Sequence, residues 1–228
     1  MQKDKDIRLY LVPSPIGNLG DITYRAVEVL QKVDAILCED TRTSSVLLNH
    51  YNIHKPLYPH HQHNEHKTLE KVLEEMKAGK TLALLTDAGT PAISDPGFLL
   101  VRECIRQGVG VGCLPGASAV LPALVQSGLP ASSFCFEGFP PQKKGRQTFF
   151  KKLAEEERTI ILYESPHRLV KTLREMAEHL GAERPAAVCR ELTKMFEETR
   201  RGTLAELAAH YEATPPKGEI VVVVGGRV

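Results

Sequence analysis

The sequence predicts an α/β protein built as two α/β domains, and three observations carry that expectation. Short apolar runs rich in β-branched residues recur along the chain, at 7–12, 35–38, 81–86, 109–114, 159–163, 186–189 and 220–224. Amphipathic stretches of helical period lie between them, the alternation that builds α/β folds. A Pro115-Gly116 turn then separates a strand ending at Leu114 from a new helical run over 118–125, so the domains are expected at 1–115 and 116–228. A length of 228 residues, 42% hydrophobic and 25% charged, suits such cores.

Taken in order, the first strand runs into a glycine-bearing turn, and Asp21 is placed to cap a helix over 22–33. After the second strand comes a loop with His60, His61, His63 and His66, then a helix from Glu65 that ends at Gly79. The third strand is followed by Asp95-Pro96, a cap and first-turn proline for a helix over 98–107 that Gly108 stops. In the second half, 166–180 opens on Pro166, repeats apolar residues at Leu169, Leu173, Met176 and Leu180, and ends at Gly181. Each half is expected to hold three to five strands, since short ones escape such a reading.

Several functions are excluded. No run approaches the roughly 18 apolar residues of a membrane span, and the N-terminal residues 1–6 lack a signal peptide's apolar segment, so a cytoplasmic protein without membrane partners is expected. The five cysteines are scattered without a C-x-x-C pair, which argues for reduced thiols. A formal net charge of +1 gives no global field for nucleic acid, so any RNA contact must come from a local patch. Gly79-Lys80-Thr81 lacks the first glycine of a phosphate loop and runs helix, glycine, strand instead of strand, loop, helix. No G-x-G-x-x-G follows the first strand, and Ser118 lacks the second glycine of a nucleophile elbow. The histidines are irregularly spaced in a polar loop, so no metal site is expected. A G-x-x-G clamp at Gly17-Asn18-Leu19-Gly20 would make a non-catalytic RNA-binding module, but that motif needs a helix before it and here a strand precedes.

Three strand ends attract attention instead. Residues 13–21 form a tight turn, 39–42 gather Glu39, Asp40 and Arg42, and 87–97 is a loop of small residues that permits close approach of backbone to a ligand. Asp87, ending its strand, is suited to anchor a hydroxyl or ammonium group. These loops and 115–119, followed by Gly138-Phe139-Pro140, Glu164-Ser165-Pro166-His167-Arg168, Cys189-Arg190-Glu191-Leu192-Thr193-Lys194, Glu198-Thr199-Arg200-Arg201-Gly202 and Lys217-Gly218-Glu219, resemble in this order the tetrapyrrole-methylase superfamily of S-adenosylmethionine enzymes, within it the ribosomal RNA 2′-O-methyltransferases.

The resemblance implies a homodimer whose protomers fold the cofactor S-adenosylmethionine into a cleft between the two domains. The implied activity is 2′-O-methylation of a cytidine in small-subunit ribosomal RNA, on the RNA or on the subunit. The cofactor is then expected at Pro15, at Asp87, Gly89, Thr90 and Ile93, at Ala117 and Ser118, at Phe139, and at Lys217 and Gly218. Methyl transfer to a hydroxyl gains from positioning first and deprotonation second. The base candidates are Glu39, Asp40, Glu164, His167 and Lys194, and Glu164 is favoured because it ends an apolar strand beside His167 and Arg168. RNA contacts are expected from Arg42, Lys143, Lys144, Arg146, Arg168 and Arg190. With no tryptophan and 6% aromatics, backbone and shape should matter more than stacking. A precorrin or corrin C-methyltransferase is the neighbouring alternative, disfavoured by the motifs of the second half. Some members of the branch carry a further C-terminal segment after the strand with which this sequence ends, at Val228, and the resemblance carries over nothing about a function housed there.

Overall fold

A computed structural model describes residues 6–62 and 64–227; residues 1–5, read above for a signal peptide, and His63 of the histidine loop lie outside them. The chain divides into two compact units, Met1–Ser118 and Ala119–Val228.

The first unit holds β1 (Ile7–Val12), α1 (Tyr24–Lys32), β2 (Ala35–Cys38), α2 (Thr41–His50), β3 (Leu57–Pro59), α3 (Glu65–Lys77), β4 (Leu82–Leu85), α4 (Phe98–Arg106) and β5 (Gly110–Cys113). Its five strands pair in the order β3-β2-β4-β1-β5, all parallel. Both faces are covered, and the side chains alternate to match. Leu9, Leu11, Leu37, Leu82 and Leu84 pack on one face with α3 and α4, through Leu73, Met76, Leu100 and Cys104. Val12, Ile36, Cys38, Ala83 and Leu85 pack on the other with α1 and α2, through Ala26, Leu30 and Leu48. The near-continuous apolar strands of the sequence are those of a doubly covered parallel sheet.

The second unit holds α5 (Val120–Ser127), β6 (Phe134–Phe136), α6 (Arg146–Leu153), β7 (Thr159–Glu164), α7 (Leu169–Leu180), β8 (Pro185–Arg190), β9 (Glu198–Thr203), α8 (Leu204–Ala213) and β10 (Ile220–Val224). Its sheet is mixed, ordered β6-β7-β10-β8-β9, with β6 and β7 parallel and the other neighbours antiparallel. One face carries α6, α7 and α8, whose Phe150, Leu173, Met176, Leu207 and Tyr211 meet Ile160, Leu162, Val188 and Val222. Among the described residues no helix is long and apolar enough to cross a membrane.

Local details correct the sequence reading. The cap of α1 is Thr23, whose hydroxyl accepts from Ala26 N, while Asp21 closes a short 3-10 turn capped by Asn18. Asp95 does not cap α4: Gly97, at φ 123°, stands there without a side-chain bond, because a Cβ would lie 2.6 Å from Leu84 Cδ2. Pro166 precedes α7 instead of opening it, and the run expected at 118–125 is helical over Val120–Ser127. Strands β3, β6 and β9 escape the sequence reading, the first two being three residues long and the third reading Glu-Thr-Arg-Arg-Gly-Thr, polar along its length.

Candidate active site

In the first unit the parallel strands bring their carboxyl ends to one edge of the sheet. From β1 the chain passes to α1 on one face, whereas from the adjacent β4 it passes to α4 on the other. Loops that part in this way leave a crevice beyond the strand ends, the usual ligand site of open α/β sheets. The loop after β1 is tied to the loop after β4: Ser14 N donates to Gly89 O at 2.9 Å, Gly89 N donates back to Ser14 O at 3.0 Å, and the buried Ser14 hydroxyl donates to Thr86 O at 2.8 Å. The loop after β5 closes on the same place, for a Cβ on Gly116 would lie 2.6 Å from Pro13 Cβ. Thr90 Oγ1 donates to Ala117 O at 3.4 Å. Pro15 and Gly89 are buried, Thr90, Ala117 and Ser118 are partly exposed, and Asp87 and Ile93 are exposed. The loop after β4 also bends through left-handed backbone at Ala92 (φ 68°) and Ser94 (φ 60°), conformations that L residues seldom adopt.

Four carboxylates gather here, and their environments push them apart. Burial raises the proton affinity of Asp95, with the charges of Glu39 and Asp87 adding to it, to a pKa of about 6. Burial likewise raises Glu39 and Asp87, and each feels the other acids. Asp40 goes the opposite way, down to about 2, because Arg42 holds it by Nε at 3.1 Å and by a terminal nitrogen at 2.6 Å. Asp40 therefore binds a proton too weakly to serve well as the base, and its side chain caps α2 by accepting from Arg42 N. Asp95 is the residue the sequence reading missed: it resembled a helix cap, and only the fold shows it beside Glu39 and Asp87. It also lines an open cavity of about 310 Å³ with Gln62, Glu65 and Phe98.

These loops fit S-adenosylmethionine. Glycines stand where a side chain would close the approach, and raised carboxylates suit a ligand with sulfonium and ammonium cations better than one with phosphates. Among the described residues no group of three His, Cys, Asp or Glu is arranged to hold a metal ion. His60 is buried, with Nδ1 3.1 Å from Thr68 Oγ1.

In the second unit the favoured base is corrected. Glu164, 2% exposed at the end of β7, has both carboxylate oxygens occupied. Oε1 accepts from Ser165 N at 2.7 Å and Arg168 Nε at 3.1 Å, and Oε2 accepts from Thr172 Oγ1 at 2.5 Å. With three of its roughly four acceptor sites taken and its side chain fully buried, it offers no open face to a substrate hydroxyl. Lys194 is corrected as well. Burial lowers its proton affinity, but hydrogen bonds to Glu219 (2.9 Å) and Glu191 (3.0 Å) outweigh that and raise it, so it remains an ammonium. It clips the turn at Lys217-Gly218, where a Cβ on Gly218 would run into the Glu191 carboxylate. His167 is exposed beside Glu164, and Phe139, 54% exposed, lies 5.5 Å from the Tyr163 ring.

Of the expected RNA contacts, Lys143 and Lys144 are exposed in the loop before α6, and Arg42 is exposed in the first unit. Arg190 pairs with Glu198 at 3.2 Å, and Arg168 with Glu164. Arg146 is a correction, because it is 4% exposed and spent inside the unit. Its Nε donates to Glu175 at 2.7 Å, its terminal nitrogens donate to Pro141 O at 2.9 Å and Thr172 Oγ1 at 2.7 Å, and its guanidinium lies over the Phe150 ring. A basic run in sequence does not distinguish a lysine in solvent from an arginine on the helix face that meets the core.

Comparison with known proteins accords with this architecture. Residues 8–208 match the sequence model of the Tetrapyrrole (Corrin/Porphyrin) Methylases. A protein of Thermotoga maritima named "Ribosomal RNA small subunit methyltransferase I" is 47% identical over 96% of this chain and 99% of its own length. One of the same name from Mesorhizobium japonicum is 52% identical over 95% of this chain and 74% of its own. Among solved structures, a uroporphyrin-III-C-methyltransferase from Thermus thermophilus superposes with a TM-score of 0.68 at 22% identity, covering 95% of this chain and 93% of that one, a likeness of fold.

Proposed function

The chain belongs to the tetrapyrrole (corrin/porphyrin) methylases, and from that premise we propose that it uses S-adenosylmethionine to methylate small-subunit ribosomal RNA, at the 2′-hydroxyl of a cytidine. The observation that carries the cofactor reading is the convergence of the loops after β1, β4 and β5 around Gly89 and Gly116, with Glu39, Asp87 and Asp95 at their rim. When bound, the cofactor supplies an activated methyl group on a sulfonium. Pro15, Gly89, Thr90, Ile93, Ala117 and Ser118 form its backbone-lined bed in the first unit, and Asp87 anchors a polar end. Phe139, Lys217 and Gly218 are the contacts assigned in the second.

Orienting the ribose hydroxyl is the larger contribution, and removing its proton the smaller. Asp95 takes that proton: a carboxylate with a pKa of about 6 is ionised at neutral pH and still a competent acceptor. Glu39 is the second choice. Lys143, Lys144, Arg42, Arg168 and Arg190 supply charge for the RNA backbone, His167 the ribose side. We assign a homodimer, for which Leu121, Val125, Met195 and Phe196, 54%, 74%, 90% and 67% exposed on the second unit, offer apolar surface, and a cytoplasmic location, where a ribosomal RNA substrate would be met.

Calorimetry on purified protein tests the cofactor: micromolar or tighter binding of S-adenosylmethionine without added metal is expected, and absence of heat and of thermal stabilisation refutes the reading. Mass-spectrometric mapping of small-subunit RNA from cells lacking the gene tests the substrate, with loss of one ribose methyl expected.

A further inference from the structure

Three buried polar side chains in the second unit, Arg146, Thr172 and Glu164, join the partly buried Glu175 and Arg168 in one connected chain, and none of the three has a part in the chemistry above. Arg146 at the start of α6 donates to Glu175 on α7 and to Thr172 Oγ1; Thr172 donates to Glu164; and Glu164 accepts from Arg168. Thr172 is 0% and Glu164 2% exposed. Replacing such a set by apolar side chains of similar volume is often neutral or stabilising, so stability alone gives little reason for it. Its two ends give a better one. At one end Arg146 holds the Pro141 carbonyl at 2.9 Å, within the loop that carries Phe139, Lys143 and Lys144. That loop is fixed further back by Tyr163 N donating to Gly138 O at 2.9 Å. At the other end the Arg168 side chain, 27% exposed, is held through Nε. A guanidinium has five N–H donors, so pairing through Nε leaves it able to grip a phosphate in bidentate fashion.

We infer that Glu164, Thr172 and Arg146 are positioning residues: a buried relay that aims Arg168 and the 138–145 loop at the phosphate backbone of the substrate RNA. The inference rests on the RNA-methylating function proposed above. Glu164 fixes the guanidinium, Thr172 fixes Glu164 by its hydroxyl, and Arg146 fixes Thr172 while holding the loop.

The relay is tested with Thr172→Val, which removes only the hydroxyl, Thr172→Ser, which keeps it, and Glu164→Gln, which keeps the shape of Glu164. Five quantities are read: the Arg168 Nε resonance by NMR without RNA, cofactor affinity, RNA affinity against salt, single-turnover methylation against RNA concentration, and its pH profile. In Thr172→Val and Glu164→Gln the resonance should move, and the RNA concentration for half-maximal rate should rise about tenfold. The log–log salt slope should fall by about one, as for one phosphate contact. Cofactor affinity and the pH midpoint should stay as in wild type, and Thr172→Ser should behave as wild type. An unmoved Arg168 resonance with an unchanged salt slope in Thr172→Val overturns the relay. A flattened pH profile in Glu164→Gln also overturns it, by returning Glu164 to the role of base. Should Thr172→Val not fold, Glu164→Gln decides by the same readouts. Wild-type protein that methylates no ribosomal RNA refutes the function instead, and the resonance, read without RNA, still decides the relay.

Discussion

Replacing Asp95 by asparagine should make the protein more stable above neutral pH and leave it unchanged near pH 4. Folding raises the Asp95 pKa from 3.8 to about 6, first by burial and then by the charges of Glu39 and Asp87. Between those values the folded protein holds a proton that the unfolded chain has released, so the folded state loses stability as pH rises through about 4 to 6, and the loss persists above. A rise of about two pK units at about 1.4 kcal/mol each sets an upper limit near 3 kcal/mol. Asp95 is only partly buried, and solvent screening brings the expected gain for Asp95→Asn at pH 8 to roughly 1–3 kcal/mol. For a protein of this size that is a melting temperature higher by roughly 2–10 °C. The assay is thermal unfolding of both proteins from pH 4 to 8, with single-turnover methylation at each pH. The two melting curves should coincide at pH 4 and separate through pH 6, while the variant's rate falls by about 10²-fold or more and loses its dependence on pH. Melting temperatures that differ by the same amount at every pH would refute the electrostatic account. An undiminished rate would move the base to Glu39.

Arg146→Met should cost about 3–5 kcal/mol, seen as a large fall in melting temperature, because it strands Glu175 and Thr172 without their donor. Lys143→Glu and Lys144→Glu should change stability by less than about 0.5 kcal/mol yet weaken RNA binding, the more so at low salt. Gly116→Ala must move a Cβ from 2.6 Å off Pro13 to an ordinary contact, so calorimetry should find cofactor affinity at least about tenfold weaker and stability about 1–3 kcal/mol lower. Lys194→Met removes the ammonium that bridges Glu191 and Glu219 at the 217–219 turn, and should weaken cofactor binding without shifting the pH profile of methyl transfer, since the lysine is already held charged. A shifted profile would restore it as a base.

The sequence by itself determined the strands of both sheets that are long and apolar, because a run such as Ile220–Val224 has no other way to bury its side chains. It also singled out the loops of the candidate site, since glycines and acids at strand ends have a local reason to be there: Gly89 and Asp87 are legible without neighbours. The tertiary structure decided whatever depends on the partners that folding brings against a side chain. Glu164 reads as a base until Thr172, eight residues on, and Arg168 occupy its oxygens, and Arg146 reads as surface charge until Thr172 and Glu175, 26 and 29 residues on, occupy it. Asp95 reads as a helix cap until the parallel order β2-β4 sets Glu39 and Asp87 beside it. The physical reason is common to all three: a charged side chain's protonation and direction follow from its burial and from the donors and charges within a few ångströms, and which of those meet it is settled by how the elements pack, even where the partners stand only a few residues away.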